Sequence, residues 1–234
     1  MSTPPHNDLD RIRQEYQDRN IRLQNSDRYS PLNIAYLFML QQRLRANVDL
    51  FRRLGLTTLR DLRLLEVGCG HGDVLQELTF YRIPAAQLCG IELRPESLPV
   101  AQRRFPGVVL AAADAQQIPF STASFDVVLQ YTMFSSILDD AIKANIAREM
   151  VRVVKPGGVI IWYDFWLNPT NAQTKGVSKS EITRLFPGCA LHFQRVTLAP
   201  PVARKIVPLS WAAGVILEKL RFLNTHYLVT IRPQ

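Results

Sequence analysis

Between Leu64 and Leu75 the chain reads Leu-Leu-Glu-Val-Gly-Cys-Gly-His-Gly-Asp-Val-Leu. An apolar run breaks into a turn with three glycines, Gly68, Gly70 and Gly72, and an amphipathic segment follows. Glycine is the residue for such a turn, because positive φ costs little without a Cβ and a ligand can then approach the backbone. The N–H groups that open the next helix carry a partial positive charge. About twenty residues on, Cys89-Gly90-Ile91-Glu92 is a second apolar run that ends in an acid. Strand, glycine turn, helix, strand and acid together describe a pocket for a nucleoside-containing cofactor.

The spacing discriminates between cofactors. A dinucleotide fingerprint, G-x-G-x-x-G, counted from Gly68 requires glycine at position 73. Asp73 stands there, and the third glycine comes one residue early, at Gly72. Glu66, just before the turn, is also a poor neighbour for a pyrophosphate, since like charges repel at short range. A cofactor with an ammonium group and no phosphate suits the pattern E-x-G-x-G-x-G better. Glu66 would receive the ammonium, Gly68 and Gly70 would let adenosine lie on the backbone, and Glu92 would accept the ribose hydroxyls.

The chain resembles class I S-adenosylmethionine-dependent methyltransferases over roughly residues 62–166, with a continuation to the end. The glycine turn and Gly90-Ile91-Glu92 carry the first part of the likeness. Ala113-Asp114-Ala115 with Ile118-Pro119-Phe120, Ser124-Phe125-Asp126-Val127-Val128, and Glu149 through Gly158 carry the rest. The resemblance implies S-adenosylmethionine as cofactor, S-adenosylhomocysteine as product, and a binding set of Glu66, Gly68, Cys69, Gly70, His71, Glu92, Leu93, Asp114, Ala115 and Gln130. Asp114 would accept from the adenine amino group, and the Ala115 backbone would donate to the ring. Gln130, Tyr131 and Thr132 end the fourth strand, beside the sulfonium, where an aromatic face favours a cation. Asp126 starts that strand, at the wrong end of the sheet, and reads as structural.

Methyl transfer from a sulfonium needs alignment and exclusion of water more than it needs a base. A base matters only for an acceptor whose proton has a high pKa. Asp164, accompanied by Tyr163 and Trp166, is the best-placed acid, and Asp164 and Tyr131 are the candidate catalytic residues. A loop-capping Asp164 is the competing reading. His71 would shape the pocket, His192 and His226 read as surface or satisfied histidines, and no spacing suggests a metal.

These side chains need a doubly wound sheet to hold them. Beyond Leu62 the chain alternates apolar runs and amphipathic segments with short connections, the pattern of a parallel sheet covered on both faces. We expect an α/β, Rossmann-like sheet of seven strands near 63–68, 87–93, 108–113, 125–131, 158–165, 190–198 and 226–232, mostly parallel with an antiparallel last strand. Helices are expected near 72–82, 95–104, 137–154, 178–186 and 208–221. Ahead of them come a tail (1 to about 8), a charged helix over 8–23, and a helix starting at a Ser30-Pro31 cap and ending at Gly55. The expected division is residues 1–61, a tail and helical lid, and residues 62–234, the cofactor-binding domain.

The 234 residues carry 28 Lys and Arg against 20 Asp and Glu, a net charge of +8, with 47% hydrophobic content. That suffices for one full core and favours anionic partners. The three cysteines have no zinc spacing and no disulfide framework, which fits a reducing compartment. With no leader pattern and no run long enough to span a bilayer, a cytoplasmic protein of bacterial type is expected. Between Arg195 and Gln234 the only acid is Glu218, and the apolar stretch Val207–Leu217 reads either as core or as an interfacial element with basic flanks. The acceptor expected is a small or amphipathic molecule methylated at oxygen. A lipid-linked glycolipid or polysaccharide precursor and RNA stand as alternatives. RNA is disfavoured because Gln130-Tyr131-Thr132-Met133-Phe134 lacks the Asn/Asp-Pro-Pro-aromatic pattern of amino-group methylation. A non-catalytic cofactor-binding protein and an NAD-dependent oxidoreductase also stay open. Peripheral membrane contact is possible on composition, and oligomeric state is not readable.

Overall fold

The computed structural model describes residues 8–168 and 173–234. The expected tail lies outside the described residues as far as residue 7. The elements run α1 (Asp8–Leu23), α2 (Ile34–Arg53), β1 (Leu64–Val67), α3 (Asp73–Thr79), β2 (Leu88–Glu92), α4 (Leu98–Arg104), β3 (Val109–Ala112) and β4 (Phe125–Tyr131). They continue with α5 (Asp140–Val153), β5 (Val154–Phe165), α6 (Lys179–Leu185), β6 (Cys189–Leu198), α7 (Pro200–Ile206), α8 (Trp211–Glu218) and β7 (Asn224–Pro233).

The seven strands form one sheet in the order β3-β2-β1-β4-β5-β7-β6, mostly parallel, with the last strand antiparallel as expected. Strands β1 and β4 are buried nearly throughout, as sheet centres covered on both faces must be. The order reverses between β1 and β4, so the crevice at their C-terminal ends is the topological switch point, where ligands bind in open α/β sheets.

Chain contacts divide the molecule into two units: residues 58–193 with 228–234, and residues 1–57 with 194–227. The first holds the parallel strands and buries Leu65, Ile91, Val128, Ile161 and Trp162 almost completely. The second has its own apolar cluster of Ala35, Phe38, Leu198, Ala203 and Val207, with Trp211 edge-on to Phe38 at 4.9 Å.

Several boundaries differ from the sequence expectations for local reasons. Helix α2 is capped by Asn33, not Ser30, and the Asn33 Oδ1 accepts from Ala35 N and Tyr36 N, both at 3.1 Å. Ser30 caps only the preceding turn, through Leu32 N. Gly55 does end α2: at φ +74 it lets Leu56 N reach Phe51 O and Gly55 N reach Arg52 O, a Schellman closure. Helix α5 starts three residues later than expected because the Asp139 Oδ1 takes the N–H groups of Ala141 and Ile142. Lys155-Pro156-Gly157-Gly158 does not sit between elements but inside β5, whose register with β4 shifts between Phe125 and Val127. The expected helix over 208–221 is trimmed to α8 (Trp211–Glu218), capped by Ser210, and a short helix absent from the sequence expectations, α7, precedes it over Pro200–Ile206.

Candidate active site

Parallel register places the predicted residues along one edge. Val67 pairs with Ile91 on one side and Gln130 on the other, Glu92 pairs with Ala112, and Gln130 and Tyr131 pair with Trp162 and Tyr163. Glu66, Gly68, Glu92, Asp114, Gln130, Tyr131 and Asp164 therefore all stand at or just past the C-terminal ends of β1 to β5. Asp126 lies at the opposite end of β4. There it accepts from Arg63 N at 2.9 Å and pairs with Lys155 at 2.9 Å. Burial pushes its pKa up, but these partners outweigh that and hold it below the usual carboxylate range.

The glycine turn is built around Glu92. Its Oε2 accepts from Gly70 N at 2.9 Å, and its Oε1 accepts from Arg94 N and Nε at 3.1 and 3.0 Å. The carboxylate is buried, and three of its roughly four lone-pair sites are taken by the protein. Gly70 holds φ +52, and a Cβ added there would meet nothing within 4 Å, so this stretch of backbone faces open space. Gly90 is required for packing, since its Cβ would lie 2.8 Å from the Cys69 Sγ. Cys69 is itself buried. That burial, with the Glu66 and Glu92 carboxylates nearby, pushes its thiol well up and keeps it inert. Glu66 is buried in β1, and Leu93 is half-buried. His71 is half-buried, and its carbonyl accepts from Arg104 Nη1 at 3.0 Å.

At the end of β4 the backbone is strained. Thr132, β-branched, holds φ +55, and its N–H donates to Tyr163 O at 2.7 Å. Such conformations cost about 1–3 kcal/mol and concentrate at functional sites. Gln130 is wholly buried. Its Oε1 accepts from Met133 N at 3.2 Å, while its Nε2 has no hydrogen-bond partner among the described residues. Met133 in turn lies against Gly68, its Sδ 2.9 Å from where a Cβ would stand. Tyr131 stacks on Tyr163 at 5.2 Å. Asp164 is fully buried, with Oδ2 accepting from Ser135 N at 3.0 Å and Oδ1 from Phe165 N at 2.8 Å. Burial raises its pKa to about 6, against the pull of the Ser135 side chain and these N–H groups.

On the other flank Asp114 forms an Asx-type turn. Its Oδ1 accepts from Gln116 N at 2.9 Å and its Oδ2 from Gln116 Nε2 at 3.0 Å. Ala115 is half-buried. Sequence reasoning missed the clamp that holds the next residues. Arg152 of α5 donates to Phe120 O and Ile118 O, both at 2.9 Å, and pairs with Glu149, whose Oε2 accepts from Ile118 N at 2.8 Å. The Arg152 guanidinium holds the Glu149 carboxyl below its ordinary range. The signal for it was the i, i+3 spacing of Glu149 and Arg152 in a motif already singled out. Met133 carried no such signal.

His192 is exposed, and His226 is buried in β7 with Nδ1 3.3 Å from the Thr225 Oγ1. Burial and then Arg43 push His226 down to about 3, so it is neutral. Among the described residues no group of three His, Cys, Asp or Glu is arranged to hold a metal, and no helix is long and apolar enough to cross a membrane.

A buried carboxylate before the turn, open space at Gly70 and a buried amide nitrogen at Gln130 without a partner suit a cofactor with cationic and nucleoside portions. Residues 65–162 match the family model of the methyltransferase domain. Phthiotriol/phenolphthiotriol dimycocerosates methyltransferase of Mycobacterium leprae is 35% identical over 136 residues, 54% of this chain and 46% of that one. Demethylmenaquinone methyltransferase of Chlorobaculum tepidum is 29% identical over 171 residues, 72% and 68% of the two chains. The chain thus spans about half the length of the mycobacterial relatives it matches. Among solved structures, the PH0226 protein of Pyrococcus horikoshii superposes with a TM-score of 0.60 at 15% identity, covering 91% of this chain and 98% of that one. The fold is that of a doubly wound α/β protein with its candidate site at the switch point of the sheet. Residues 65–162 thus carry a methyltransferase domain, and the relatives and structural neighbours support a class I S-adenosylmethionine-dependent enzyme with S-adenosylmethionine as its cofactor.

Proposed function

We propose that the chain moves a methyl group from S-adenosylmethionine to oxygen of a small, amphipathic, lipid-like acceptor by in-line displacement. When bound, the cofactor supplies an electrophilic methyl on a sulfonium and leaves as S-adenosylhomocysteine. The observation that carries the reading is the row of Glu66, Glu92 and Gln130 at the ends of β1, β2 and β4, flanking a glycine turn with open space at Gly70.

In this reading Glu66 receives the ammonium group, and Glu92 holds Gly70 while offering its remaining lone pair to the ribose. Asp114 and the Ala115 backbone meet the adenine. Cys69, His71 and Leu93 wall the pocket, and Gln130 and Tyr131 border the reacting methyl. Asp164 acts as a positioning residue, because both its oxygens are engaged in holding the turn at Ser135 and the end of β5. Residues 62–234 act as the methyltransferase domain, and residues 1–61 as an accessory region.

The names of the two relatives, a dimycocerosates and a demethylmenaquinone methyltransferase, support an apolar acceptor. Incubation of the protein with methyl-labelled cofactor and separate lipid, quinone, metabolite and RNA pools tests this. Label in an organic-soluble product with an O-methyl group is expected. Label confined to RNA, or tight binding of NAD in place of S-adenosylmethionine, overturns it. Cofactor binding without transfer to any pool favours the non-catalytic reading.

A further inference from the structure

We propose that the surface formed by α7, α8 and the turn at Arg221–Leu223 docks the protein on an anionic lipid surface. The inference concerns the unit of residues 1–57 and 194–227 alone and does not depend on the acceptor. Helix α8 has two faces. Gly214 packs on Phe38 and Val207, and Trp211, Val215 and Leu217 border the same apolar cluster. The other face carries Ala212 and Ile216, one turn apart, with Ile216 65% exposed. Leu209 precedes it at 83% exposure, and Phe222 follows at 69%. Large apolar side chains left this open in sequence neighbours mark an interaction surface rather than a solvated helix.

Charge selects the partner. Lys205, Lys219 and Arg221 are exposed beside these residues. Glu218, the only acid from Arg195 to the end, is bidentate to Arg45 at 3.0 and 2.8 Å and is thereby neutralised. Among the described residues Arg221 donates to the Arg195 carbonyl, a neutral acceptor, and so keeps its charge. The unit as a whole holds 14 Lys and Arg against 7 Asp and Glu, a net +7 of the chain's +8. An apolar stripe with basic flanks on a helix of eight residues is too short to span a bilayer and fits its interface. Nucleic acid would use the cations and could stack on Phe222 alone, since aliphatic Leu209 and Ile216 offer no face for a base, whereas a lipid interface uses all three.

The full chain is tested by flotation with vesicles of phosphatidylcholine alone and of phosphatidylcholine with phosphatidylglycerol. Flotation with the anionic vesicles only, weakened by salt, is expected. Lys205→Glu with Lys219→Glu should lower vesicle affinity by well over tenfold, since each basic residue at such a surface contributes roughly fivefold. Ile216→Asp with Phe222→Asp should lower it at low salt as well, and both double variants should keep the S-adenosylmethionine affinity that reports an intact fold. No flotation, flotation indifferent to both variants, or equal binding to neutral vesicles overturns the proposal. So does a dimer in sedimentation velocity that Ile216→Asp dissolves without changing flotation, which would give the stripe to a second copy.

Discussion

The two contact units reach stability by different chemistry. Residues 58–193 with 228–234 hold 14 Lys and Arg against 13 Asp and Glu, so the charges of this unit nearly cancel. Several of those charges are buried and hydrogen-bonded: Glu92 with Arg94, Lys143 with Glu181 at 2.6 Å, and Asp164 with backbone donors. Residues 1–57 with 194–227 carry an excess of seven positive charges and keep most of them in water, around a small aromatic and aliphatic cluster. A ligand pocket needs fixed, desolvated polar groups, whereas a surface that meets something anionic needs charges left without partners.

The largest expected effects should separate these two designs. Glu92→Ala removes the buried carboxylate to which the Arg94 guanidinium and the Gly70 N–H donate. Stability should fall by about 3–5 kcal/mol, the usual cost of breaking a buried charge pair, with cofactor affinity falling too. Denaturant melts and calorimetric titration with S-adenosylmethionine measure both. Phe38→Ala removes a wholly buried ring from the other unit and should also cost about 3–5 kcal/mol. Its signature should differ: the loss follows buried apolar area and is insensitive to pH and salt. If Glu92→Ala leaves stability unchanged, the contrast between the units breaks.

Asp164 gives a pH test. Its folded pKa, about 6, lies above the unfolded value, so the folded state holds its proton longer. Stability therefore falls as pH rises from about 4 to about 6, by up to about 3 kcal/mol for a shift of this size. Asp164→Asn should flatten that slope in denaturant midpoints taken across the window. A slope that survives the substitution would assign it to another group. The smallest effect is local to the basic unit. Asn33→Ala should cost about 1 kcal/mol, as loss of an N-cap does, and lower the melting temperature without altering cofactor affinity.

The parallel half of the fold was legible because each strand is a short apolar run ending in a chemically marked residue. β4 matches its expected span, and β1 to β3 differ only by trimmed ends. The placement of the candidate site residues was legible for the same reason, since Glu66, Glu92, Asp114 and Gln130 all fall near where an apolar run stops. Local competition between signals decided what was less visible. Ser30-Pro31 and Asn33 are both good caps, and it is Asn33, extended at φ −78 and ψ 111, whose side chain takes the first N–H groups of α2. Ser210 set the start of α8 three residues inside the expected helix, and α7 went unread ahead of it.

Residue types and their spacing determined the cofactor class, because a glycine turn flanked by Glu66 and Glu92 suits a cationic nucleoside and repels a pyrophosphate. Tertiary structure alone decided the state of Asp164: its burial and its two backbone donors come from a strand end and a turn 29 residues apart in sequence. It also decided that Met133 seats against Gly68, that Arg152 and Glu149 clamp Ile118 and Phe120, and which aliphatic side chains of α8 face water. Those outcomes depend on which surfaces meet, and a one-dimensional pattern of polar and apolar residues carries no information about the partner across the contact.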